Sequence, residues 1–261
     1  MKSYCFTVDD NIRFLKEVTQ NPKGSIFEHP YMAMYQRLHQ RFGLKVQLNL
    51  FYKMPGFDLS QMTEIYRDEF FQNAHWLKLS FHSQWENEEP YEFSDYEEVY
   101  QDAKSVNEQI LRFAGQEALG KTTTIHYCST TNEGLRAMKD LQTEGLLGLF
   151  GTTASPCTSY SVPEGMGDAI RAGQVVEYQG VKIASIDMII NDTKLENIIP
   201  DLSVLQDHDQ IRVMIHEQYF YQDYPRYQSD FEEKLETVFT FLEEKGYQSR
   251  FFEEMLWEED T

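Results

Sequence analysis

The sequence predicts an α/β protein whose parallel sheet closes into a barrel, and three observations carry the prediction. Strand-like and helix-like segments alternate along nearly all of the 261 residues. No linker rich in Pro, Gly or Ser divides them, so one domain spanning residues 1–261 is expected. Asp and His stand just after several strands, where a barrel gathers its strand C-termini at one mouth. A doubly wound open sheet is the alternative.

Tyr4-Cys5-Phe6-Thr7-Val8 reads as the first strand and ends at Asp9 and Asp10. Residues 30–42 place Met32, Met34, Tyr35, Leu38 and Phe42 on a helical stripe closed by Gly43. Leu44 to Leu50 alternates with period two and reads as a strand. Asp58 or Ser60 caps a helix expected to run to about Asn73. Trp76 to Phe81 is the third strand and runs into His82. Ser94, with Glu97 three residues on, forms a capping box that opens a helix to about Ala114.

Thr122 to Tyr127 is β-branched and strand-like, Thr131 to Gln142 is helical, and Leu146 to Leu149 is a short strand. From about 151 to 180 the periodicity dissolves, which marks a loop-rich insertion. Val181 to Ile186 is a strand, Thr193 to Leu205 a helix, and Ile211 to Ile215 a strand ending at His216. Residues 229–245 form an amphipathic helix closed by Gly246, followed by a short strand and a terminal helix.

Composition narrows the function classes. The chain is 41% hydrophobic and 14% aromatic, enough for a large core. Its 23 basic and 43 acidic residues give a formal charge of −20, which argues against nucleic acid as a partner. The three cysteines, Cys5, Cys128 and Cys157, have no zinc-ligand spacing and read as free thiols. No signal-like segment and no run of 18 apolar residues is present, so a cytoplasmic protein without membrane contact is expected. GxGxxG and GxxxxGK[ST] are both absent, so a nucleotide-phosphate loop has no support.

The strand ends carry the chemistry. Adjacent carboxylates near a core repel each other and lose solvation, a conflict that a metal ion or a proton-transfer role resolves. Asp9-Asp10, His82, His126 and His216 would all reach one mouth. In His82-Ser83-Gln84-Trp85-Glu86, one helical turn would bring His82 and Glu86 to a shared metal ion. With Asp10 that gives one imidazole and two carboxylates, a set suited to Zn²⁺, Mn²⁺, Fe²⁺ or Co²⁺. Glu86 also belongs to an acidic stretch with Glu88, Glu89 and Glu92, which reads equally as solvated surface. Trp85 and Tyr219 suit either stacking on a sugar ring or packing.

Taken in order, these motifs resemble the polysaccharide deacetylase (NodB-like) family of carbohydrate esterases. Thr7-Val8-Asp9-Asp10-Asn11 is similar to that family's Thr-Phe-Asp-Asp-Gly, and His82-Ser83-Gln84-Trp85-Glu86 to its His-Ser/Thr-x-x-His, with Glu in place of the second His. Met214-Ile215-His216 is similar to its Leu-x-His, and Phe239 to Tyr247 to its last helix and strand. The resemblance implies a distorted (β/α)7-type barrel with parallel strands and a metal-dependent hydrolase that removes acetyl groups from a carbohydrate-like substrate. It implies Asp9 as general base, His216 as general acid, and Asp10, His82 and Glu86 as metal ligands. The expected cofactor is a divalent metal, zinc first, with Mn, Fe, Co or Ni as alternatives, and the expected partner is a small-molecule or oligosaccharide substrate. The family's orienting Arg is missing around Ile125-His126-Tyr127-Cys128-Ser129, where His126 is the nearest substitute, and its fourth motif is not recognisable after Phe150. A non-catalytic carbohydrate-binding or regulatory barrel, and a metal-dependent sugar isomerase or lyase, are the competing readings.

Overall fold

Strand order follows chain order around the molecule, as a barrel requires. The computed structural model describes residues 2–86, 91–152 and 154–256. Parallel strands β1 (Ser3–Asn11), β2 (Val46–Phe51) and β3 (Leu77–Ser83) form one run, joined on the other side of β1 by β8 (Gln210–His216) and short β7 (Met188–Ile189). A second sheet holds β4 (Thr122–Thr123), β5 (Gly145–Gly148) and β6 (Val181–Ser185), with Val176–Tyr178 antiparallel at its edge.

The two sheets meet at two joints. Gly120 donates to the Leu79 carbonyl at 2.8 Å, and Leu79 bridges Leu119 between β3 and β4. On the far side the chain crosses from β6 to β7, with Ile186 donating to the Gly148 carbonyl and Asp187 to that of Arg212, both at 2.8 Å. The barrel is therefore distorted, its ladder thinned at both joints. Gly120 is needed at the first, because a Cβ there would stand 2.5 Å from Ser80 Oγ.

Period-two alternation divides each strand between an apolar jacket and a polar lumen. On β1, Phe6 packs against Tyr35 of α2 (Pro30–Phe42), with ring centroids 6.0 Å apart, and against Phe239 of the helix Phe231–Glu244 at 5.1 Å. Each such burial contributes about 1.5–3 kcal/mol. The lumen side carries Thr7, Asp9, Gln47, Asn49, Ser80, His82, Thr122 and Thr124, all buried. Buried polar groups need partners, and here several find one another. Thr122 Oγ1 donates to Gln47 Oε1 at 2.9 Å, Gln47 Nε2 to Asn49 Oδ1 at 3.0 Å, and Asn49 Nδ2 to Asp9 Oδ1 at 2.6 Å.

Several elements differ from sequence expectation for identifiable reasons. Helix α1 (Arg13–Gln20) has no local cap, so nothing in its own sequence announces its start. Its first amides are met from 200 residues away: Glu217 accepts from Ile12, Arg13 and Phe14 at 2.7, 3.0 and 2.8 Å. The single helix expected from Asp58 to Asn73 is instead a 3-10 turn, Leu59–Gln61, and a helix, Arg67–Asn73 (α3). Arg112 takes the carbonyls of Leu59, Ser60 and Met62 that a continuous helix would have used.

Helix α4 (Tyr96–Phe113) is capped by Asp95, which accepts from Glu98 at 3.0 Å, so its cap lies one residue beyond Ser94. The strand expected over Thr122–Tyr127 stops at Thr123 and gives way to a turn, His126–Cys128, with Tyr127 and Cys128 at φ 59° and 52°. Residues 151–180 hold a small hairpin (Gly151–Thr152 with Ser155–Pro156) and helix Glu164–Arg171; their largely exposed faces leave no core periodicity. Glu88 and Glu89 of the acidic stretch, and residues 257–261, lie outside the described residues.

Candidate active site

Two bulges bring the strand-end groups together. A regular strand would point Asp9 and Asp10 to opposite faces. The β1–β2 register shifts between Val8 and Asn11, and Asp10 adopts φ 65°, so both carboxylates are buried, at 2% and 7% exposure. The β2–β3 register shifts in the same way, passing from Leu50↔Phe81 to Phe51↔Ser83 and leaving His82 as the extra residue. Asn11 secures the first bulge: its Nδ2 donates to the Val8 carbonyl at 2.6 Å and its Oδ1 accepts from Tyr31 at 2.7 Å.

Asp10, His82 and His126 offer ligand atoms within 4.8 Å of one another. His82 Nε2 is 3.0 Å from Asp10 Oδ1 and 3.1 Å from His126 Nδ1, which is 3.5 Å from the same oxygen. The outer nitrogen of each ring is tied to a carbonyl, His82 Nδ1 to Thr124 at 2.5 Å and His126 Nε2 to Glu86 at 3.1 Å. Carbonyls only accept, so these outer nitrogens carry the protons. In the neutral rings the inner nitrogens would face Asp10 with lone pairs, the arrangement by which second partners fix metal-ligating histidines.

Burial raises the Asp10 carboxyl, but the hydrogen bond and charge of His82, with His216 and His126, outweigh it and hold it below the usual carboxylate range. Burial opposes the charge on His82, and the carboxylates of Asp9 and Asp10 reverse that, pushing it up. His126 is lowered to about 4 by burial and by His82. A proton on His82 would bridge to Asp10 at 3.0 Å, and a cation would join the three groups more fully. One carboxylate and two imidazoles fit Zn²⁺, Co²⁺, Fe²⁺, Mn²⁺ or Ni²⁺.

The helical turn that would carry Glu86 to this cluster does not form. Tyr52 and Lys53 donate to the carbonyls of Ser83 and Gln84 at 3.0 Å each, which keeps that backbone extended. The third group of the cluster is His126, from the turn after β4, and the Glu86 side chain lies outside it, 3.4 Å from Gln218 Nε2. Glu86 still meets the cluster through its backbone, as the acceptor for His126.

Asp9 and His216 are register partners on β1 and β8. The Asp9 carboxyl is pushed up by burial, against the charges of His82 and His216 and the hydrogen bond from Asn49. His216 donates through Nδ1 to Asn191 Oδ1 at 2.9 Å. Neutral amides therefore hold both groups, Asn49 where the expected Arg is missing and Asn191 behind the imidazole. Asn49, Asn191 and Gln218 escape sequence reasoning because isolated amides carry no spacing signal. Asn49 alone stands at a lumen-facing position of a recognised strand end, which is a signal of a kind.

A cavity of about 170 Å³ opens beside Asp10, lined by Phe51, Met54, Trp85, Glu86, Gln218 and Tyr224 among others. Trp85 lies on its wall, with Lys53 Nζ 5.7 Å from the ring. Tyr219 does not line it; its ring packs 6.0 Å from His216 and 5.2 Å from Tyr224.

No family model and no curated protein matches the chain. Solved structures do match. A family 4 acetyl xylan esterase from Clostridium thermocellum, in complex with a cobalt ion, has a TM-score of 0.55 at 12% identity, covering 98% of this chain and 90% of that one. A CE4 family pseudoenzyme from Bacillus anthracis has a TM-score of 0.51 at 13% identity, covering 98% and 65%. A 4-alpha-glucanotransferase from Thermococcus litoralis has a TM-score of 0.61 at 13% identity, covering all of this chain and 41% of that one. The chain thus has the α/β fold of the CE4 polysaccharide deacetylases, the family its strand-end motifs resemble, at low sequence identity.

Proposed function

We propose that this protein is a metal-dependent hydrolase that removes an acyl group from a carbohydrate-like substrate. The observation that carries the reading is the convergence of Asp10, His82 and His126 at the mouth where Asp9 and His216 stand side by side. A divalent cation held by those three residues supplies Lewis acidity toward the scissile carbonyl and toward water. Asp9, held through Oδ1 by Asn49, takes the proton of the attacking water. His216, with Nδ1 committed to Asn191, uses Nε2 to protonate the departing nitrogen or oxygen. The cavity beside Asp10 excludes water from one side of the substrate and offers Trp85 and Tyr224 for contact with a ring.

The test is acetate release from N-acetylated chito-oligosaccharides and O-acetylated xylo-oligosaccharides by zinc- or cobalt-loaded protein. Loss of release on chelation and its return with metal support the reading. Metal binding without release from either substrate class contradicts it.

A second reading, a metal-holding barrel without turnover, is favoured by one observation: neutral amides, Asn49 and Asn191, stand behind Asp9 and His216. The same assay separates the two readings. It also separates hydrolysis from a metal-dependent isomerase or lyase, which would consume sugar without releasing acetate.

A further inference from the structure

The two oxygens of Asp10 face different surroundings. Oδ1 points to the inner nitrogens of His82 and His126, at 3.0 and 3.5 Å. Oδ2 accepts a hydrogen bond from Gln218 Nε2 at 2.6 Å. The same nitrogen lies 3.4 Å from Glu86 Oε1, so the Gln218 amide stands between two carboxylates. An ionised carboxylate cannot donate, which fixes the amide with its nitrogen toward Asp10 and leaves Gln218 Oε1 buried without a partner.

Gln218 is itself anchored. It belongs to the 3-10 turn Glu217–Phe220 that follows β8, and the neighbouring Glu217 fastens that turn to the first amides of α1. Asp10 sits in the left-handed backbone region at φ 65°, which an aspartate tolerates better than most residues, and its Oδ2 is held by the Gln218 amide from another segment of the chain.

We propose that Gln218 is the positioning residue of the cation site, holding Asp10 by Oδ2 so that Oδ1 is presented beside the two imidazoles. The inference rests on the metal-site reading above and deepens it. Gln218 enters from the turn after β8, apart from the segments that carry Asp10, His82 and His126. Partners of this kind typically change metal affinity or activity by 10–100-fold when lost.

The experiment uses the full chain, stripped of metal. Zn²⁺ is titrated against a chromophoric chelator for the unaltered protein, for Gln218→Met, which matches the side chain in size without an N–H, and for Gln218→Ala. The visible absorption of Co²⁺ is recorded for the same three proteins, and the thermal midpoint without metal shows that each folds. The unaltered protein is expected to bind one ion, the variants to bind it about 10–100-fold more weakly, and their Co²⁺ band to shift as the carboxylate loses its fixed orientation. Unchanged affinity and an unchanged Co²⁺ spectrum in a folded variant would overturn the role of Gln218 alone. An unaltered protein that binds no Zn²⁺ would overturn the metal reading, and the inference with it.

Discussion

At the scale of single residues, the adjacent carboxylates Asp9 and Asp10 are given different surroundings by one bulge. Asp10 turns toward His82 and His126, while Asp9 stays on the lumen side of the ladder beside His216. Replacing Asp9 with Asn should lower acetate release by about 10²–10⁴-fold, the usual contribution of a general base, while leaving zinc affinity close to unaltered. A parallel loss of zinc binding, seen by chelator competition, would move Asp9 into the ligand set. The cluster also predicts a pH dependence of metal uptake. His82 is raised by its carboxylate neighbours, so in the metal-free protein it keeps its proton to higher pH than an ordinary imidazole. A cation must displace that proton, so zinc affinity should fall as pH falls through the raised value, with proton release measurable by calorimetry in two buffers. Binding indifferent to pH over roughly 6 to 8 would contradict this ligand assignment.

At the scale of elements, the segments at the mouth are braced by distant contacts rather than by their own sequences. Glu217 is the clearest case: one carboxylate satisfies three amides at the start of α1, from Ile12 to Phe14, and accepts from Tyr221 at 2.8 Å. Glu217→Ala strands those buried donors, and each unsatisfied group costs about 1–3 kcal/mol, so denaturant titration should show a loss of several kcal/mol. The jacket gives a simpler prediction. Phe6→Ala empties the space between Tyr35 and Phe239 and should cost about 3–5 kcal/mol in the same titration, with the cluster at the mouth untouched. These braces also explain what sequence could not reveal. Strands and helices with strong periodicity, such as Leu44–Leu50, residues 30–42 and residues 229–245, are legible because burial of one face dictates their pattern. Helix α1 and the break before α3 are not, because Glu217 and Arg112 settle them from far along the chain.

At the scale of the whole molecule, a barrel with strand order following chain order makes one mouth out of distant segments. That is why Asp9, Asp10, His82, His126 and His216 could be proposed together from their places after strands. Glu86, four residues after His82, was expected as the third member of the cluster, but the backbone there stays extended and His126 stands beside Asp10 and His82 instead. His126 was in view at its strand end, but only the turn with Tyr127 and Cys128 at positive φ brings its ring to the cluster. Metal binding to the folded barrel alone should stabilise it: zinc at a hundredfold excess over its Kd adds about 2.7 kcal/mol, read as a raised thermal midpoint that chelation reverses. The most direct test of the account is an anomalous difference map at the zinc edge from crystals grown with Zn²⁺. The account predicts one peak about 2.0–2.2 Å from Asp10 Oδ1, His82 Nε2 and His126 Nδ1. No peak at the mouth, or a peak held by Glu86 with His126 turned away, would contradict it.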